Sequence, residues 1–116
     1  ALAIHDCEPA FVPYIPDPEH VVRASLTGDR LEIVVRVNPC IPREKLRVKC
    51  SPYQDTLPRQ ATVWIEAPDR HQDVCSGDEV EHTFTVDLRA HYPPTPFQIY
   101  VRSSRCEPVR TFSWNR

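Results

Sequence analysis

Cysteine and histidine are the residues of this sequence whose chemistry depends most on their spacing. Neither is arranged in a common motif: the sequence has no Cys-x-x-Cys, and its five cysteines are Cys7, Cys40, Cys50, Cys75 and Cys106. A thioredoxin-type redox site or a zinc ribbon would need closely spaced cysteine pairs. Five cysteines in so short a chain therefore favour disulfides formed in an oxidising compartment.

A metal site is the alternative interpretation of the same residue types. Structural zinc needs four ligands in a tetrahedral array, usually supplied as closely spaced pairs. Two such pairs exist here, His5 with Cys7 and His71 with Cys75. A metal-binding or redox domain that uses these four residues thus stays open beside the disulfide interpretation.

Motifs for catalysis are absent from the sequence. It contains no nucleophile elbow, no phosphate-binding loop and no H-E-x-x-H, and two glycines could not form a glycine-rich cradle. The acidic stretch 69–79 lacks the residue order of an EF-hand. We therefore predict that the protein is not an enzyme and needs no cofactor.

Length, charge and proline content exclude several classes of partner and of architecture. A length of 116 residues fits one domain, and a net charge of −2 argues against nucleic-acid binding. No apolar run approaches the ~20 residues of a membrane span. The 13 prolines exclude long helices from most of the chain.

The N-terminal sequence bears on localisation. There is no methionine, and the chain opens with Ala-Leu-Ala, which is compatible with a signal-peptide cleavage site. We expect a processed N-terminus or a piece of a larger parent chain. Together with the cysteines, this predicts a secreted, periplasmic or extracellular surface protein.

Alternation of apolar and polar residues dominates the chain after residue 19. Residues 1–19 carry four prolines and are expected to form an extended arm packed on a β-domain, residues 20–116. A glycine at position 28 marks a hairpin between the first two strands. The period-two pattern predicts seven strands, A to G, at 20–26, 31–37, 45–50, 61–67, 82–88, 97–103 and 109–114.

The number and spacing of these strands resemble immunoglobulin and fibronectin type III modules. The resemblance implies an all-β, seven-stranded antiparallel β-sandwich in which strands C and F are neighbours in one sheet. It implies nothing about activity, because many functions share such a fold.

Strand direction predicts which cysteines meet. If consecutive strands run antiparallel, the arm and the connections 38–44, 68–81 and 104–108 lie at one end of the domain, with four of the cysteines. Four cysteines at one end allow three pairings, of which we favour Cys7–Cys106 with Cys40–Cys75. Cys50 ends strand C at the opposite end, too far for a disulfide with Cys40, and is expected to be a buried free thiol, with an intermolecular disulfide or a reactive thiol as the alternative.

The outer strand faces predict a binding surface. Lys45, Arg47 and Lys49 alternate on strand C, and Trp64 points outward on strand D. With Tyr100 and Arg102 of strand F, they would form a basic face suited to a protein or anionic glycan partner. The sequence therefore predicts a non-enzymatic binding or structural module, stabilised by disulfides.

Overall fold

The chain is all β in its computed structural model, which describes residues 18–55, 59–67, 75, 77–94, 96–104 and 110–114. Two short 3₁₀ helices, Arg43–Lys45 and Leu88–Ala90, and no α-helix lie within these ranges. The strands are β1 (His20–Thr27), β2 (Arg30–Val37), β3 (Arg47–Cys50), β4 (Arg59–Glu66), β5 (Val80–Asp87), β6 (Phe97–Val101) and β7 (Arg110–Trp114). All seven predicted strands are confirmed, with ends that shift by at most two residues.

The first hairpin forms as the sequence predicts. Strands β1 and β2 are joined by two residues, Gly28 and Asp29, and Thr27 pairs with Arg30. Gly28 has a φ of 62°, in the left-handed region that a two-residue hairpin turn requires and that glycine adopts without strain.

The strands form two sheets, in the orders β1-β2-β5 and β3-β4-β6-β7. The prediction of wholly antiparallel pairing is wrong at one place, because β4 and β6 are parallel, with Ala61 opposite Ile99. The placement of strand C next to strand F is also wrong, since β4 separates β3 from β6. Strand direction still alternates along the chain. Strands β4 and β6 therefore point the same way, and side by side they can pair only in parallel.

Residues from both sheets form one hydrophobic core cluster. Alternate positions of each strand face it, as the period of two requires, except where the register of β1 shifts between Val21 and Arg23. Trp114 is 1% exposed, and its indole Nε1 donates to Asp29 Oδ1 at 2.9 Å. The largest fully buried side chains of the described residues are Trp114, Phe97, Leu31, Ile33, Ile65, Leu88, Ile99, Val35, Val37, Val63, Val101 and Thr62.

The chain just before β1 lies next to the four-stranded sheet. The backbone N–H of Glu19 donates to the carbonyl of Ile65 at 2.8 Å, and that of Val21 donates to Ser103 Oγ at 2.9 Å. Most of the predicted arm, residues 1–17, lies outside the described residues. Within the described ranges, no helix is long and apolar enough to cross a membrane.

Cys40 and Cys75 form a disulfide, as the position of their loops predicts. Their Cα atoms are 5.6 Å apart. Asn38 holds both residues: its Oδ1 accepts from the N–H of Cys40 at 2.9 Å and of Cys75 at 3.2 Å, and its Nδ2 donates to the carbonyl of Cys75. Cys7 and Cys106 lie outside the described residues, so their pairing stays a prediction.

Removing this disulfide should destabilise the fold strongly. The bond closes a loop between residues 35 positions apart, for which the chain-entropy relation gives about 4 kcal/mol. The double variant Cys40→Ala/Cys75→Ala should lose that much free energy of unfolding in urea under oxidising conditions. Cys50→Ala, which removes no disulfide, is the control. An unfolding midpoint of the double variant no lower than that of the control would contradict the prediction.

Candidate functional site

The three basic residues predicted on strand C are all exposed. Lys45 ends the short 3₁₀ helix, which corrects its assignment to a strand, while Arg47 and Lys49 lie on β3. Arg47 is held locally, since its Nη1 donates to the carbonyls of Glu44 at 2.6 Å and Leu46 at 3.2 Å. Because β3 is an edge strand of its sheet, these side chains project at the margin of the domain.

The residues predicted on strand F do not join this basic group. Strand β4 lies between β3 and β6, so Tyr100, opposite Thr62, is two strands away from Lys49. Arg102 lies beyond the end of β6 and is 5% exposed, so the prediction that it contributes to an open surface is wrong. The alternation of side chains stops where the strand stops, which is at Val101.

Trp64 does lie beside the basic residues. It stands opposite Lys49 in the β3–β4 register and is half-buried. Its Nε1 donates to Glu66 Oε1 at 2.9 Å, and Lys49 Nζ lies 4.0 Å from Glu66 Oε2. Glu66 therefore fixes the indole and offsets part of the positive charge. We call Lys45, Arg47, Lys49 and Trp64 the basic edge.

One of the four ligands of the predicted metal site is not available to bind a metal ion. Cys75 is bonded to Cys40, and a disulfide sulfur is not the thiolate that zinc requires. His5, Cys7 and His71 lie outside the described residues. In the part of the chain that is described, no group of three or more His, Cys, Asp or Glu side chains could hold a metal ion.

Glu19 is a buried carboxyl that sequence reasoning missed. It is 5% exposed, and burial, together with the nearby charge of Glu79, raises its pKa to about 7. The sequence gives little sign of this, because Glu19 sits in a run of polar residues and prolines just before β1. Its burial depends on the long-range contact with β4.

Glu19 should make stability fall as pH rises. The folded protein keeps the proton up to about pH 7, whereas the unfolded chain loses it near the ordinary glutamate value. Stability contributed by the protonated form is therefore lost between about pH 4.5 and 7. Glu19→Gln removes this loss and should stabilise the protein by roughly 3 kcal/mol at pH 8, but by less than about 1 kcal/mol at pH 5.

Urea unfolding at both pH values measures the difference. Glu32→Gln, at an exposed position of β2, is the matched control with which the effect of Glu19→Gln is compared. Equal effects of Glu19→Gln at the two pH values would contradict a raised pKa.

Cys50 is a free, half-buried cysteine that packs against the core cluster. Burial raises the pKa of its thiol to about 11, and a hydrogen bond with the Tyr92 side chain opposes the rise. The pKa of Tyr92 is also raised, first by burial, and its hydroxyl donates to the Ser51 carbonyl at 2.7 Å. The thiol is therefore protonated at neutral pH. The sequence predicts the free cysteine but not its tyrosine partner.

Alkylation of Cys50 should be slow in the folded protein. A thiol pKa of about 11 leaves roughly a hundredfold less thiolate at pH 8 than an unfolded cysteine has. Iodoacetamide labelling followed by intact mass and peptide mapping should show at least that reduction at Cys50, relative to the protein in urea without reductant. Similar rates in the two states would contradict a protonated, half-buried thiol.

Glu19, Cys50 and the basic edge each contact different residues. Glu19 meets the charge of Glu79, Cys50 meets Tyr92, and the basic edge carries three exposed basic side chains. No protein family, curated protein or solved structure matches this chain. The contacts of the described residues are therefore the basis for assigning a function.

Proposed function

We propose that this chain is a non-enzymatic binding or structural module of an exported or cell-surface protein, and that its basic edge binds an acidic partner. One observation carries the proposal: three exposed basic side chains cluster along and just before an edge strand, next to a half-buried tryptophan. Positive charge attracts a carboxylate- or sulfate-bearing surface, and an indole adds apolar contact area. A protein or an anionic glycan meets this description.

The disulfide supports an oxidising compartment. Disulfides such as Cys40–Cys75 persist in secreted, periplasmic and cell-surface proteins and are rare in the cytosol. Asn38 orders the backbone of both cysteines, so the bond is part of the folded loop structure. This supports the export of the chain.

The proposed architecture is a β-sandwich. Support comes from the division into sheets of three and four strands and from the one core cluster to which both contribute. The likeness to immunoglobulin modules covers strand number and the two-sheet division. It does not cover strand order, since β4 takes the place between β3 and β6.

Edge protection is the competing explanation for the basic edge. Lysines on a short edge strand prevent pairing with another chain, and β3 has four residues. A positive or a negative charge would protect the edge equally well, whereas recognition of an acidic partner needs positive charge. Reversing the sign of the charge therefore separates the two explanations.

The charge reversal Arg47→Glu/Lys49→Glu should weaken binding to an acidic partner by at least about tenfold without unfolding the domain. Heparin and a poly-glutamate peptide are the two probes, and titration at low and physiological salt is the measurement. Affinity for heparin alone would indicate a glycan partner, and affinity for poly-glutamate alone an acidic protein surface.

Arg110→Glu is the matched control. Arg110 is an exposed arginine on β7, the opposite edge strand of the same sheet. It should leave the affinity within about twofold of the wild type. If the control weakens binding as much as the double variant, or if the double variant binds unchanged, the basic edge is not the binding site.

A further inference from the structure

A small cavity opens beside the end of β3, and none of its described lining residues belongs to the basic edge. Its volume is about 340 Å³, and its lining residues are Cys50, Ser51, Pro52, Tyr53, His91 and Tyr92. We call it the tyrosine pocket. It combines two segments far apart in the sequence, the chain after β3 and the chain after the 3₁₀ helix Leu88–Ala90.

Tyr92 forms a fixed wall of the pocket. Its hydroxyl donates to the Ser51 carbonyl, and its ring centroid lies 5.1 Å from that of Phe97. Ser51 is fixed in turn, because its N–H donates to the Thr62 carbonyl and its Oγ accepts from the Thr62 N–H. The wall is therefore tied to β4 and is present before any ligand binds.

Tyr53 forms the second wall and remains open to solvent. Its ring lies edge-on to Phe97, at 5.4 Å and 85°, and to Tyr92, at 6.3 Å and 77°. The Arg59 guanidinium sits 5.1 Å from its centroid. Despite these contacts Tyr53 is 40% exposed, one of two exposed large hydrophobic residues in the described ranges. An ordered aromatic ring left partly in water suits recognition.

The lining indicates an uncharged, apolar ligand. Its described residues include no carboxylate, ammonium or guanidinium group, and the guanidinium of Arg59 lies outside the lining, on the Tyr53 ring. The Ser51 hydroxyl is already engaged, since it donates to the Pro52 carbonyl and accepts from Thr62. The Tyr92 hydroxyl is engaged as well, so among the described lining residues a sugar ring would meet the His91 imidazole and the Tyr53 hydroxyl, which are fewer than its own hydroxyl groups.

A proline ring fits these conditions. It is compact, apolar and uncharged, and a volume of about 340 Å³ admits one or two such residues. Proline-rich segments are extended before they bind and dock in aromatic-lined grooves at low entropic cost. The pocket adjoins an edge strand, beside which an extended segment can pass.

We propose that the tyrosine pocket binds an extended, proline-rich segment of a partner protein. The site is separate from the basic edge and lets the module recognise a second, uncharged ligand. Tyr53, which is 40% exposed, supplies the face on which a proline ring packs, and Tyr92, which is 5% exposed, forms the rigid base of the pocket. Cys50 lines the same pocket, so an occupant shields its thiol from alkylating reagents.

A ten-residue oligoproline peptide is the probe, with a Gly-Ser peptide of equal length as the reference. Isothermal titration should show saturable binding of oligoproline and none of Gly-Ser. Tyr53→Ala should weaken binding at least tenfold, as expected for an aromatic anchor, whereas Tyr53→Phe keeps the ring and should stay within about twofold. Tyr100→Ala, a half-buried tyrosine on the outer face of β6, is the matched control and should leave binding unchanged. Circular dichroism verifies that each variant is folded.

Alkylation of Cys50 locates the bound peptide. Saturating oligoproline should slow labelling of Cys50 severalfold in the wild type and not in Tyr53→Ala. Arg47→Glu/Lys49→Glu should leave oligoproline binding within about twofold, which separates this pocket from the basic edge. The proposal is overturned if both peptides bind alike, if Tyr53→Ala binds as well as the wild type, or if bound peptide leaves the labelling rate unchanged.

Discussion

Strand β4 is the constraint on which the four-stranded sheet and its neighbouring segments depend. It pairs with β3 on one side and with β6 on the other, and its inward residues Ala61, Val63 and Ile65 are at most 1% exposed. Its backbone also bonds to chain beyond the strands: Ser51 at Thr62, Arg102 at Val63 and Glu19 at Ile65. The pocket, the basic edge and the buried carboxyl are therefore all placed by this one strand.

The parallel pairing of β4 and β6 follows from that central position. If each strand of a chain runs opposite to the strand before it, two strands whose numbers differ by an even number point the same way. The numbers of β4 and β6 differ by two, so these strands pair in parallel. Parallel strands are usually buried, and the inward sides of both strands form part of the core here.

Local patterns predicted the strands and the hairpin because those features depend on neighbours in sequence. Gly28 marks the turn, and the period of two marks all seven strands. Strand direction placed Cys40 and Cys75 at the same end of the domain, since it determines the end at which each loop lies, but it left three pairings of four cysteines open. It was not enough to give the sheet order, because direction does not specify which strands are adjacent. The misplacement of Arg102 has another cause, since β6 ends at Val101 and the alternation of side chains ends with it.

The pocket and Glu19 escaped prediction for the same reason. Tyr53 and Tyr92 are 39 positions apart, and nothing in either local sequence indicates that they meet. A tyrosine next to a proline, as in Pro52-Tyr53 and Tyr92-Pro93, is the only sequence signal, and it is weak. Long-range packing decides which tyrosines form a wall and which are exposed on a sheet face.

Alternation along β3 lets one short strand serve two different surfaces. Arg47 and Lys49 point outward to the basic edge, whereas Val48 and Cys50 contact the core cluster, with Cys50 at the margin of the tyrosine pocket. A shift of register by one residue would bury the charges and expose the thiol, so pairing with β4 is strongly specified. The same specification holds Lys49 beside Trp64 and Ser51 beside Thr62. The two proposed sites therefore share a scaffold but not a side chain, which is why a charge change at one can leave the other intact.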